Sequence, residues 1–260
     1  MAYVRTSIAA VGLGPGDAIS ALHRRSASLH SQEPHVSDAL IKSLNDSVSR
    51  RALLGGSISV AALASVQPVL AQRAAAPAQV AVDELMKVDL PEIVYGKADA
   101  PVTIVEYASM TCGHCAAFHN TVLPKLKEKY IDTGKARLVF REFPLDNIAA
   151  AVSMLARCVG GDGTTAFVSE MFKRQQEWAF QPGNPVPRLF EMSRQAGFTQ
   201  ASFDKCLTDD KLLQQIEAGR KRATEKFGVN ATPTFFVNGK RLPGVALADF
   251  EKAIDPLLKG

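Results

Sequence analysis

The sequence predicts an α/β fold, and three stretches carry that prediction. Val102-Thr103-Ile104-Val105-Glu106-Tyr107 is apolar and rich in β-branched residues over the length of a buried strand. After the short loop Ala108 to Thr111, Cys112-Gly113-His114-Cys115 opens a segment from Ala116 to Lys129 whose apolar residues recur at helical spacing. Late in the chain, Thr234 to Val237 reads as a strand, Asn238-Gly239 as a two-residue turn, and Lys240-Arg241-Leu242 as the return of a hairpin.

The 260 residues are 47% hydrophobic and 22% charged, enough for a sizeable core in one or two domains. A formal charge of +4 is mildly basic, but the cations are dispersed rather than gathered into an aromatic-laced patch, which argues against a nucleic-acid partner. Arg220-Lys221-Arg222 reads as a solvated helix face near a helix C-terminus, where cations suit the dipole. Four cysteines are few for a disulfide-built scaffold, yet enough for one active pair and one structural pair.

Residues 1–48 are rich in Ser, Ala, His and Gly with no sustained apolar period. They are expected to be disordered, or an extension from a start assigned too far upstream. An organelle transit peptide is the other reading, and Asp17, Glu33, Asp38 and Asp46 weigh against it. Residues 49–71 read as an export signal. Ser49-Arg50-Arg51 precedes a small and apolar run from Gly55 to Ala71 without charge, and Val69-Leu70-Ala71 ends it as a cleavage site would. Ser, Gly, Gln67 and Pro68 interrupt the run, so it makes a poor membrane span. The paired arginines resemble a twin-arginine signal; an ordinary secretory signal is the alternative, and either one exports the chain. Residues 72–87, rich in Ala with Pro77, read as a loose linker, and the first strand is placed near Val88–Tyr95. That leaves too little sequence for a dedicated N-terminal dimerisation domain, so a monomer is expected.

A CxxC set where a strand feeds a helix puts its first sulfur at the helix N-terminus. There unpaired N–H groups and the helix dipole favour thiolate over thiol. The thiolate attacks disulfides, so thiol–disulfide exchange is the leading chemistry, with Cys112 as nucleophile and Cys115, one turn inside, as resolving thiol. His114, as imidazolium, would stabilise the Cys112 thiolate further; a neutral spacer is the alternative. Half of a zinc site is the competing reading of the motif. Structural zinc usually takes a second Cys or His pair at short spacing, and none accompanies Cys158 or Cys206. No metal and no cofactor is expected. His119, on the same helix, reads as a surface residue, and Pro124 as a kink.

Downstream, Asn147–Val159, Thr164–Trp178, Pro187–Ala196, Thr199–Leu207 and Asp210–Phe227 each read as helical. Thr199 and Asp210 suit N-caps, and Gly197 and Gly228 suit helix ends. Trp178 reads as core. Cys158 follows Met154 and Leu155, and Cys206 follows Phe203, at helical contact spacing, so both are assigned to apolar faces. In an exported domain two such cysteines are candidates for a structural disulfide, with unpaired core thiols as the alternative.

The strand, the CxHC site, the helical stretch and Ala231-Thr232-Pro233-Thr234-Phe235-Phe236-Val237-Asn238-Gly239 together resemble the thioredoxin superfamily. A helical insertion at about 147–227 is similar to the DsbA-type periplasmic disulfide oxidoreductases. Val102 to Pro144, with Arg141-Glu142-Phe143-Pro144, looks especially like the DsbA/Com1-like branch. The resemblance spans roughly 88–258. It implies a thioredoxin fold with an inserted helical subdomain, a cis bond before Pro233, and backbone beside Thr232 and Pro233 that pairs with bound substrate. A trans proline that merely opens a strand is the other reading. It also implies a buried acid at Glu106 that relays a proton to or from the resolving thiol; by strand alternation Glu106 could instead face solvent.

The function implied is an exported oxidase in the periplasm. It would donate the Cys112–Cys115 disulfide to newly exported proteins and be reoxidised by a membrane quinone-linked protein. Gly113 and Thr232 depart from the Pro-His and Val-Pro of the best-known DsbA enzymes, which keeps an isomerase or reductase open. A non-redox binding module or chaperone on the same fold is the third reading.

Overall fold

The computed structural model describes residues 77–259; the readings for 1–48 and 49–71, and the start of the 72–87 segment, lie outside the described residues. A five-stranded mixed sheet stands at the centre, built from β1 (Ile93–Tyr95), β2 (Val102–Ala108), β3 (Ala136–Glu142), β4 (Thr234–Val237) and β5 (Lys240–Arg241). The strand order is β1-β3-β2-β4-β5. β2 runs parallel to β3, and the other pairings are antiparallel. All seven residues of β2 are buried. A strand covered on both faces reads as a nearly continuous apolar run, and Glu106 is the charged residue within it.

Alternation divides the sheet between two cores. Ile104, Leu138, Phe140 and Phe235 face one side, beneath the helix that carries the CxxC. Val105, Tyr107, Val139 and Phe236 face the other, where Leu85, Ala223 and Phe227 cover them. Because Glu106 lies between Ile104 and Ala108 on the strand, its side chain shares their face. The sheet therefore delivers a carboxyl group to the underside of the CxxC helix.

That helix begins as α2 (Gly113–Ala117), widens into a π-type turn at Phe118–Val122, resumes as α3 (Leu123–Leu126) and widens again at Lys127–Ile131. Pro124 does not stop it. A proline lacks the N–H for the preceding turn and crowds its carbonyl, and the widened turn, in which the Leu123 N–H reaches back to the Phe118 carbonyl, makes room.

The helical stretch between β3 and β4 comprises α4 (Asn147–Val159), α5 (Gly163–Lys173), α6 (Gln175–Trp178), α7 (Val186–Gln195), α8 (Gln200–Leu207) and α9 (Asp210–Phe227). The single helix expected over Thr164–Trp178 breaks at Arg174. Thr199 caps α8 through its hydroxyl, while α9 is capped by Asp209 rather than Asp210. Gly228 ends α9 in the left-handed conformation. Cys158 on α4 and Cys206 on α8 are joined by a disulfide, with their Cα atoms 6.2 Å apart. Cys206 is buried but Cys158 is exposed, because α4 leaves the core in its last turn.

Three sequence expectations need correction here. The segment read as a loose linker is ordered from its middle onward. Val80 donates to the Gly239 carbonyl, Arg241 donates to that of Ala78, and α1 (Val82–Met86) buries Leu85. Gly239 has φ +82°, and a Cβ there would come within 2.0 Å of the Val80 carbonyl oxygen, so this contact requires glycine. The first strand starts at Ile93, not near Val88. Arg222 is not part of a purely solvated face: it donates to Glu84 and lies over the Phe227 ring. A C-terminal helix, α10 (Leu247–Ile254), completes the fold by burying Phe250 and Ile254.

Candidate active site

Cys112 is the N-cap residue of α2, with extended backbone angles, and Cys115 lies one turn inside. Both are free thiols. Cys112 is half-buried, and its pKa is pulled down to about 5. The largest cause is the Cys115 thiol, which donates a hydrogen bond to the Cys112 sulfur. Thr232 and the backbone N–H groups of Cys115 and His114 add to it, against the opposing effect of partial burial. Cys115 is completely buried, and its pKa is pushed well above the ordinary range. Burial is the main cause, followed by its donation to Cys112 and by the negative charges of Glu106 and Cys112. The two thiols share one turn of helix, yet their acidities are driven in opposite directions.

His114 is exposed, and its backbone N–H is directed at the Cys112 sulfur. Thr232-Pro233 is a cis peptide bond. This loop meets the CxxC directly, since the Cys112 thiol donates to the Thr232 carbonyl at 3.3 Å. The Thr232 hydroxyl is buried without another partner, which leaves it available as a donor once the sulfur is ionised. Beside Pro233 an open groove of about 520 Å³ is lined by Ala231, Thr234, Arg241 and the exposed Val245.

Glu106 is fully buried, so the solvent-facing alternative is excluded. The expectation for His119 is overturned. It is buried, and its Nε2 lies 3.0 Å from Glu106 Oε2. Residue type assigned the imidazole to solvent, although Cys115 and Leu123, four residues to either side, put it on the buried face; the carboxyl that lets it be buried lies on another element.

Sequence reasoning also missed two residues that hold the loop. Gln175 on α6 is buried and donates through Nε2 to the carbonyls of Met110 (2.7 Å) and Cys112 (3.0 Å). A signal for it exists: Phe167, Val168, Met171 and Trp178 form an apolar stripe at helical spacing, and Gln175 is the polar residue within it. Asp146, the N-cap of α4, accepts from the Ala149 N–H and from the Thr111 hydroxyl, both at 2.7 Å. The inserted helices therefore clamp the loop that carries the reactive sulfur.

Paired thiols, one accessible and acidic and the other sealed and reluctant to ionise, equip a protein for thiol–disulfide exchange on a thioredoxin-like sheet. The comparisons agree. A family model described as Thioredoxin matches residues 89–256, and the chain belongs to that family, in its DsbA-type protein-disulfide oxidoreductase branch. A Rickettsia bellii protein named as a protein-disulfide oxidoreductase is 35% identical over 175 residues, covering 66% of this chain and 67% of that one. Disulfide bond formation protein D of Bacillus subtilis is 28% identical over 177 residues, covering 64% and 77%. The crystal structure of Wolbachia pipientis alpha-DsbA1 superposes with a TM-score of 0.62 at 32% identity, covering 68% of this chain and 96% of that one. The chain spans 62% to 67% of the length of the Rickettsia relatives it matches.

Proposed function

We propose that this protein is an exported oxidase that donates a Cys112–Cys115 disulfide to the thiols of newly exported proteins in the periplasm. The observation that carries the reading is the setting of Cys112, a partly exposed sulfur at a helix N-terminus, between the Cys115 thiol and the cis Thr232-Pro233 loop, which pulls its pKa down to about 5. A substrate thiolate attacks Cys112 Sγ, the Cys112–Cys115 bond breaks, and Cys115 leaves with the electron pair and takes a proton. The second substrate thiolate then attacks the substrate sulfur of the mixed disulfide, and Cys112 departs as a thiolate. Two electrons pass to the protein, and the substrate gains a disulfide. A low-pKa thiol leaves readily, and a stabilised thiolate stabilises the reduced form, so the disulfide is a strong oxidant.

Thr232 and Pro233 stand where a bound peptide's backbone would lie, and the groove beside them has room for an extended segment. His114 contributes through its N–H. Exported proteins with free thiols are the substrates, and a membrane quinone-linked protein would return the disulfide; the chain works as a monomer. The name of the Bacillus subtilis relative supports the oxidising direction over isomerisation or reduction.

Equilibration with glutathione tests the direction. A potential near about −120 mV is expected, while a value near about −270 mV would turn the reading into a reductase. Trapping tests the roles. Cys115→Ser is expected to accumulate a mixed disulfide with a thiol peptide, and Cys112→Ser to form none; the reverse would exchange the two assignments.

A further inference from the structure

The Glu106–His119 contact has a chemical consequence for Cys115. Glu106 Oε2 and His119 Nε2 are 3.0 Å apart, and both side chains are all but excluded from solvent. Each keeps one buried heteroatom without a hydrogen-bond partner, Oε1 on the acid and Nδ1 on the imidazole. Around them the wall is aromatic. Phe172 stacks on the His119 ring at 4.2 Å, and Phe118, Phe140 and Tyr95 present their edges to it. The register completes the enclosure, since Glu106 stands opposite Phe140 on β3 and Phe235 on β4. His119 reaches the carboxyl from the widened turn that follows α2.

An unpaired carboxylate in such surroundings is costly, whereas a carboxyl and an imidazole that hold one extra proton between them are neutral overall. Tyr95 on β1 packs against the His119 ring, and Cys115 lies four residues before His119 on the same buried face of the helix, where it feels the charge of Glu106. The Tyr95 hydroxyl is already engaged with the Thr165 carbonyl and Ser169, and burial raises its pKa. Cys115 is left as the group with which the pair can exchange a proton.

We propose that His119 is a positioning residue that shares the proton of Glu106, so that the pair, rather than Glu106 alone, supplies and accepts the proton of Cys115. This rests on the exchange reading above. When substrate sulfur bonds to Cys112 and the Cys112–Cys115 bond breaks, the electron pair stays on Cys115 and the pair's proton follows it. A neutral acid–imidazole pair becomes a carboxylate hydrogen-bonded to neutral imidazole, and water later restores the proton. In the opposite direction, Cys115 yields its proton to the anionic pair as its sulfur attacks Cys112 and expels the substrate thiolate.

The test follows resolution of a preformed Cys112–peptide disulfide from pH 5 to 9, in the wild type and in His119→Gln. Glutamine can still donate to Glu106 but cannot carry the proton. The wild-type rate is expected to rise through an inflection. His119→Gln should be at least tenfold slower at pH 7, with the inflection displaced and the Cys112 thiolate titration near 5 unchanged. In the wild type, ¹⁵N resonances of the His119 ring should titrate at the kinetic inflection, a readout that needs no variant to fold. A wild-type profile in His119→Gln, or ring resonances that do not move between pH 5 and 9, overturns the proposal alone. Failure of the wild type to resolve the mixed disulfide at any pH overturns the exchange reading, and the proposal with it.

Discussion

At neutral pH the Cys112 sulfur of the reduced protein is ionised, because donation from the Cys115 thiol, from Thr232 and from the backbone N–H groups of Cys115 and His114 outweighs the opposing effect of partial burial. This has a signed consequence for stability. The folded pKa, about 5, lies below the roughly 8.5 of an unfolded cysteine. The folded reduced protein therefore binds fewer protons than the unfolded chain between those values, and its stability rises with pH across that window. The contribution is complete above the unfolded pKa and is lost as pH falls through about 5. Thiolate absorbance at 240 nm is expected to titrate with a midpoint near 5 and to vanish in Cys112→Ser. The gap in thermal midpoint between reduced wild type and reduced Cys112→Ser should widen from pH 4 to pH 8. A thiolate midpoint above 8 would remove the basis for a strongly oxidising site.

The site depends on elements that local sequence describes unequally. Gln175 shows how a helix far along the chain holds the reactive loop. Its two hydrogen bonds satisfy the carbonyls of Met110 and Cys112, and Met110 is buried. Gln175→Ala leaves the Met110 carbonyl without that donor, and the expected loss is about 1–3 kcal/mol in denaturant unfolding, with faster amide exchange in the Cys112 loop. Unchanged stability and exchange would show that the clamp is dispensable. The boundaries of α4 were legible in the sequence, as was the end of α9 at Phe227, because amphipathic spacing and terminal capping signals agree there. β3 was not read, although five of its last five residues are buried, because Arg141 and Glu142 disguise it. Those charges are tolerated through partners elsewhere in the chain, Arg141 with Glu92 and Glu142 with Arg157. His119 was misplaced for the same reason. The CxxC and the Thr-Pro loop were legible because their chemistry is local; the buried pairings were not, because their partners are distant in sequence.

At the scale of the whole molecule, the Cys158–Cys206 bridge joins the first long helix after β3 to α8, across 48 residues of the helical insert. Asp146 caps α4, and Gln175 stands on α6 within the span the bridge closes; both hold the CxxC loop, so the rigidity of the insert bears on the active site. A closed loop of that length removes conformational freedom from the unfolded chain worth about 4 kcal/mol in the chain-entropy account, and measured gains are commonly about 2–4 kcal/mol. The bridge is only half protected. Cys206 is buried, but Cys158 stands exposed at the end of α4. Its exposure makes the bridge a second target for strong reductants, whereas the active pair is poised for exchange by the acidity of Cys112. Replacing both residues in Cys158→Ala/Cys206→Ala is therefore expected to lower unfolding free energy by about 2–4 kcal/mol in urea, with the active pair reduced in both proteins. The Cys112 thiolate titration near 5 should remain, because none of the groups that set it lies on the bridge. Loss of stability with an unchanged thiolate would assign the bridge to the scaffold. A shift of that midpoint toward 8 would instead show that the insert transmits its order to the reactive sulfur through the Gln175 and Asp146 contacts.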